Sequence, residues 1–252
     1  MALTAWVGIA LAALPPSAAP RLRPRPPVVV VDAGHGWSSL HRSYTGAYNR
    51  WADVHEDPLA LDIARRLAGA LSARGVEVHL TREGDQEPPD YNGDGEQTNR
   101  DRSYFALNLR RLRPQASQPG ADLYVSIHLN ASPDPSDRGT TVVYSEVGPA
   151  AEHVEESRRL AEAVYGQLTR VLPESAPPFA VNGLYMDRLA LPHAVVEVVF
   201  LSNWADLQWI LKAENRQTAA ELVAEGIVEW WGSFPNPGAP PRPEGVPEAP
   251  RR

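Results

Sequence analysis

Residues 28–31 are four valines in a row, and they run directly into Asp32-Ala33-Gly34-His35-Gly36. A strand with no polar alternation must be covered on both faces, as an inner strand of a parallel sheet is. The glycines that follow open it into a loop. Behind that loop, Ile63, Leu67 and Leu71 recur at helical spacing, preceded by Asp57-Pro58, which reads as an N-cap with proline in the first turn. Gly75 closes this helix, and residues 76–81 make the next strand. Strand, helix and strand in that order form a β-α-β unit, with parallel pairing through a right-handed crossover.

The alternation continues along the chain. Residues 83–100 are polar and rich in Gly, Pro, Asp and Asn, which predicts a long loop. A helix is expected over 102–113, with Tyr104, Phe105 and Leu109 available for burial, and strands over 122–129 and 140–144. Leu160, Val164, Leu168 and Val171 make a helical stripe; 194–201 is the last buried strand, and Leu222, Val223, Ile227 and Trp230 mark a closing helix. The fold class that follows is α/β, a single open sandwich with a mostly parallel twisted sheet and helices on both faces.

The 25 prolines are unevenly spread, crowding 15–27 and 235–250. The folded region is therefore expected over 28–234, between a Pro/Arg-rich linker at 20–27 and a Pro-rich disordered tail at 235–252. Residues 3–14 are apolar and lead into Pro15-Pro16-Ser17-Ala18-Ala19, a stretch of small residues like a cleavage site. The run falls short of the ~20 residues of a membrane span, so 1–19 reads as a signal peptide. Export to the periplasm, cell wall or medium follows, with no stable membrane span after processing. The absence of cysteine excludes disulfides, thiolate catalysis and cysteine-type zinc sites. A formal net charge of -7 speaks against general nucleic-acid binding, which draws most of its affinity from basic surface.

Ligands of an open α/β sheet gather at the carboxyl ends of its strands, and several polar residues fall there. His35 follows the first strand. His128 lies near the end of the 122–129 strand, with Ser126 and Asn130 on the same face by the period of two. Glu56 precedes the first helix, next to His55, which competes with it as a ligand. Glu197 interrupts Ala194-Val195-Val196-Glu197-Val198-Val199-Phe200. A carboxylate among valines loses hydration and needs a partner or a raised pKa, unless it bridges to a buried arginine such as Arg82 or sits on a wet edge. Two histidines and a carboxylate form a known ligand set for catalytic zinc, and a further carboxylate supplies the base.

Five motifs occur in order: Val-Asp-Ala-Gly-His-Gly at 31–36, His-Glu-Asp at 55–57, Thr-Arg at 81–82, Ser-Ile-His-Leu-Asn-Ala at 126–131 and Val-Glu-Val-Val-Phe-Leu-Ser-Asn at 196–203. Together they resemble the zinc-dependent N-acetylmuramoyl-L-alanine amidases of the bacterial cell wall. The resemblance places the zinc ligands on His35, Glu56 and His128 and the catalytic glutamate on Glu197. It implies peptidoglycan as substrate, with cleavage of the amide between N-acetylmuramic acid and L-alanine. Asn130 and Asp32 become candidates for orienting a ligand. The chain departs from the family at Trp37, where a second glycine is usual, in a lengthened segment up to Ala47, and in the acidic loop 90–101.

Two other readings use the same residues. One is a zinc carboxypeptidase or other peptidase acting on stem peptides, and the other is a cell-wall-binding module without turnover. No activator protein can be read from the sequence. The acidic loop carries a separate expectation: Asp90, Asn92 and Asp94 sit at positions one, three and five of a calcium-loop pattern. Its sharp-turn glycine is Gly95, Glu96 offers its carbonyl and Asp101 closes the loop at position twelve.

Overall fold

The valine run forms β1 (Val28–Ala33), with all six residues buried. Each valine taken fully out of water contributes roughly 1.5–3 kcal/mol. A computed structural model describes residues 26–38, 43–44, 46–86, 89–90, 93, 95, 101, 120–172, 176–184, 186–187 and 189–233. The expected signal peptide, most of the linker, the 102–113 helix and the 235–252 tail lie outside these residues.

After β1 come two short antiparallel ribbons, β2 (Trp37–Ser38) with β3 (Ser43–Tyr44), and β4 (Tyr48–Asn49) with β5 (Val54–His55). Helix α1 (Glu56–Ser72) follows, burying Ala60, Leu61, Ile63, Ala64, Leu67, Ala70 and Leu71 along one stripe. Its cap is His55, in extended conformation, so Asp57 lies inside the first turn and is not the N-cap expected from the sequence. The Glu56 N–H donates to the Ala47 carbonyl at 2.9 Å, a tertiary contact that starts the helix early. Gly75, at φ +76, turns the chain into β6 (Glu77–Leu80).

The remaining elements are β7 (Leu123–Asn130), β8 (Thr141–Ser145), α2 (Ala151–Leu168), β9 (Phe179–Val181), β10 (His193–Phe200), α3 (Trp204–Ile210) and α4 (Ala213–Gly232). Val171 falls beyond the end of α2 and is exposed, against the expected stripe. Strands β6, β1, β7, β10, β8 and β9 form one sheet in that order. The first four are mutually parallel; β8 runs against β10, and β9 is parallel to β8. The sheet is mostly parallel with a reversed edge.

Helix α1 lies against β1, β6 and β7, α2 lies against β8 and β10, and α4 touches both helices. Because α4 bridges them, the three share one face of the sheet. Gly226 makes that bridge possible, since a Cβ there would come within 2.6 Å of the Val164 backbone. On the opposite face Val28, Val30, Tyr124, Val143 and Val195 pack with Met186 and Leu189. Sandwiched this way, β7 and β10 are partly exposed only toward their carboxyl ends, at His128, Asn130, Glu197 and Phe200, and polar residues collect there.

Candidate metal centre

The centre stands where β1, β7 and β10 end. The loop after β1 brings His35, the start of α1 brings Glu56, and β7 brings His128. One ligand atom from each lies within 4.8 Å of the other two. Nδ1 of His128 is 3.0 Å from Glu56 Oε1, Nε2 of His35 is 3.5 Å from Glu56 Oε2, and the two imidazoles meet edge to face at 4.8 Å.

Glu56 is 2% exposed and held from several sides. The Ala47 N–H donates to Oε2 at 2.7 Å and the Leu129 N–H to Oε1 at 2.9 Å. Burial alone pushes its pKa up. The hydrogen bond and charge of His128, the charge of His35 and the Ala47 N–H outweigh that and hold the carboxyl below its usual range. His128 is perturbed the other way. Burial lowers its pKa, but the bond to Glu56 and the charges of Glu197, Glu56 and Asp32 raise it overall. Glu56 and His128 thus face each other at hydrogen-bond distance, in a geometry where a cation can take the place between them.

The local backbone is shaped to the same end. His35 has φ +57, the left-handed region, a conformation that costs a non-glycine residue ~1–3 kcal/mol and persists only where its surroundings enforce it. Gly34 leaves room for His128, since a Cβ there would lie 2.5 Å from Cε1 of the ring. Gly46 does the same for Glu56, with a Cβ placed 2.6 Å from Oε2.

Glu197 sits one strand over. Parallel pairing of β10 with β7 sets it opposite His128, and an irregularity in register follows between Glu197 and Phe200. Its Oε2 is buried and meets no hydrogen-bond donor among the described residues. Burial pushes its pKa up to about 7, with His128 pulling down and Glu56 pushing further up. It neither bridges to Arg82 nor sits on an edge strand. Glu197 lies on an inner strand, and Arg82 donates to the backbone carbonyls of Ala33, Gly34, Gly84 and Asp57.

His55 stands apart from the cluster. Its ring stacks on Tyr48 at 4.3 Å across the β4–β5 ribbon. Asp32, fully buried, accepts hydrogen bonds from the hydroxyls of Thr81 and of Ser126, the latter at 2.6 Å, and acts on His128 through its charge. The side-chain oxygen of Asn130 accepts from the Ala131 N–H at 2.8 Å, a local turn and not a bond to a ligand. Sequence reasoning missed the Ala47 N–H, Gly46 and the work of Arg82. Only Arg82 left a signal, in the Thr-Arg motif.

In the acidic loop, Asp90 and Asp101 are described, whereas Asn92, Asp94 and Glu96 lie outside the described residues. The Asp90 carboxylate accepts from the N–H groups of Gly93 at 2.6 Å and Gly95 at 2.8 Å. Asp101 is fully buried.

Two imidazoles and a carboxylate, oriented by backbone donors, suit a transition metal better than calcium or magnesium, which prefer all-oxygen shells. The family model described as N-acetylmuramoyl-L-alanine amidase matches residues 29–229. The germination-specific N-acetylmuramoyl-L-alanine amidase of Bacillus subtilis is 27% identical over 216 residues, covering 85% of this chain and 82% of that protein. LytC, an N-acetylmuramoyl-L-alanine amidase of the same organism, is 26% identical over 204 residues, or 81% of this chain; the match spans only 35% of LytC. Among solved structures, the amidase Ami1 from Mycobacterium smegmatis superposes with a TM-score of 0.67 at 22% identity, over 83% of this chain and 99% of that one. The CwlD amidase from Clostridioides difficile, solved in complex with the GerS lipoprotein, gives 0.62 at 23% identity, over 82% and 98%.

Proposed function

The chain belongs to the N-acetylmuramoyl-L-alanine amidase family, and on that premise we propose that it hydrolyses the amide between N-acetylmuramic acid and L-alanine of peptidoglycan, with zinc held by His35, Glu56 and His128 and with Glu197 moving the proton. The observation that carries this reading is the convergence of three ligand atoms within 4.8 Å, beside a buried carboxylate oxygen that meets no donor among the described residues.

When bound by such a set, zinc supplies Lewis acidity that makes water acidic near neutral pH and draws charge from a carbonyl oxygen. The chain's own residues do the rest. The Ala47 and Leu129 N–H groups fix both oxygens of Glu56, so the ligand keeps its orientation. Glu197 Oε2 takes a proton from water as that water attacks the amide carbon, then returns it to the departing nitrogen of L-alanine. A carboxylate with its pKa near 7 suits both halves of this transfer, because neither protonation state is strongly favoured at neutral pH.

Export completes the reading, because the substrate lies outside the cytoplasm; residues 1–19 would carry it as a signal peptide. No helix among the described residues is long and apolar enough to cross a membrane. Purified protein incubated with defined muropeptides, with and without a chelator, tests the function by mass analysis of the products. Release of the intact stem peptide is expected, abolished by chelator. Shortened stem peptides would indicate a peptidase, and unchanged muropeptides a binding module. Glu197→Gln should keep zinc but lose about 100-fold or more in turnover, the scale of a lost general base. Near-normal turnover in that variant would remove Glu197 from the mechanism.

A further inference from the structure

The Thr-Arg pair at 81–82 has no assigned role, and its arginine is 5% exposed, next to the metal centre. Arg82 leaves β6 and turns inward. Its Nε donates to the Ala33 carbonyl at 2.8 Å and its Nη2 to the carbonyls of Gly34 and Asp57, both at 2.9 Å. Its Nη1 reaches the Gly84 carbonyl at 2.7 Å. Gly34 is the residue before His35, and Asp57 is the residue after Glu56. One planar guanidinium therefore ties together the two backbone segments that carry two of the three ligands, although they are far apart in the sequence.

We propose that Arg82 is a positioning residue for the metal centre, acting through the backbone on His35 and Glu56. The inference rests on the reading that these residues, with His128, hold the metal.

Two features of the site need such a tie. His35 is held in the left-handed region, at φ +57, which its own side chain disfavours. Fixing the carbonyls of Ala33 and Gly34, while the Gly34 N–H donates to the Ile127 carbonyl at 2.9 Å, clamps the peptide units ahead of that residue. Glu56 opens a helix whose cap, His55, supplies no side-chain bond, so the start of α1 depends on tertiary contacts such as those to Ala47 and Arg82. Acceptors from three segments around one side chain call for the flat, multi-donor fork of arginine; lysine offers a single tetrahedral head on a flexible stem. Thr81 extends the brace, its hydroxyl bonding the buried carboxylate of Asp32.

The test uses the full chain and measures metal binding directly. Zinc affinity is read by competition with a chromophoric chelator, and ligand geometry by the visible spectrum of the cobalt-substituted protein. Arg82→Lys is expected to fold, to bind zinc about 10–100-fold more weakly, and to shift the cobalt bands. Arg82→Gln serves in the same assays if the lysine variant does not fold. Arg216→Lys is the control: Arg216 also donates to two carbonyls, those of Ile210 and Leu211, away from the centre. That variant should lose some thermal stability and keep wild-type zinc affinity and cobalt spectrum. Unchanged zinc affinity and cobalt bands in the Arg82 variants would overturn the proposal. So would an equal loss of affinity in Arg216→Lys, which would reduce Arg82 to a general stabiliser. A wild-type chain that binds no zinc would overturn the functional reading itself, and this inference with it.

Discussion

Replacing Gly34 by alanine adds one methyl group at the most crowded point of the centre. The new Cβ would lie 2.5, 2.6 and 2.7 Å from Cε1, Nε2 and Nδ1 of His128. Ordinary contact begins near 3.4 Å, so the ring has to retreat by roughly 1 Å. It has nowhere free to go. His128 lies on an inner strand, bonds Glu56 at 3.0 Å and meets the His35 ring edge to face. Overpacking of this kind costs about 1–3 kcal/mol, and for a chain of this size each kcal/mol lowers Tm by ~2–4 °C. A 1 Å displacement of a reacting group costs about 100-fold in turnover.

Gly75→Ala is the matched comparison, because there a Cβ meets nothing within 4 Å but the backbone sits at φ +76. That change should cost ~1–2 kcal/mol through backbone strain alone and leave metal binding untouched. Thermal melts, zinc titration and muropeptide turnover on both variants separate the two causes. Gly34→Ala with wild-type zinc affinity, or Gly75→Ala losing as much zinc as Gly34→Ala, would refute the steric reasoning.

Further outcomes follow from the same geometry. His35→Ala and His128→Ala should purify without metal, whereas His55→Ala, whose ring stacks on Tyr48, should keep it; metal analysis of the three preparations decides, and a metal-free His55→Ala would move the ligand away from Glu56. N-terminal sequencing of protein recovered from its native host should begin near Ala18 or Ala19, and an intact Met1 in the cytosol would contradict export. If the 90–101 loop takes calcium, millimolar calcium should raise Tm by mass action, and the double change Asp90→Ala, Asp94→Ala should abolish the gain. Magnesium should do much less, and a flat calcium titration would leave the loop an acidic turn.

What could be read from the sequence was whatever is encoded locally. The valines of β1, the stripe of α1 and the apolar run of β10 announce buried elements by composition and period, and the structure forms all three close to the expected bounds. Elements without a period could not be found this way. The β4–β5 ribbon has two residues per strand, β9 has three, and α3 depends on Asn203 accepting from the N–H groups of Ala205 and Asp206. The start of α1 went wrong for a related reason. Asp57-Pro58 is a good local start signal, but the Ala47 carbonyl, reached only after the ribbon forms, captures the Glu56 N–H first. The same ribbon separates the neighbours His55 and Glu56, turning one ring onto Tyr48 and the other side chain into the centre, a choice that local sequence cannot make.

In the proposed mechanism the two glutamates draw different chemistry from the same functional group. Glu56 is buried, Glu197 is half-buried with its Oε2 out of water, and both lie beside His128. Burial raises the pKa of each, so burial does not distinguish them. The distinction lies in their donors. Glu56 comes from a helix start, where the Ala47 and Leu129 N–H groups point at its two oxygens and the two histidines add positive charge, so it stays ionised and fixed, as a ligand must. Glu197 comes from the middle of a strand whose N–H groups are committed to the sheet; among the described residues Oε2 meets no donor, and the pKa is pushed up to about 7. A group so placed can exchange its proton readily, as a base must. Exchanging the two environments would lose both functions. A donor introduced beside Glu197 should lower its pKa and slow turnover without removing the metal, whereas loss of the donors to Glu56 should release the metal first.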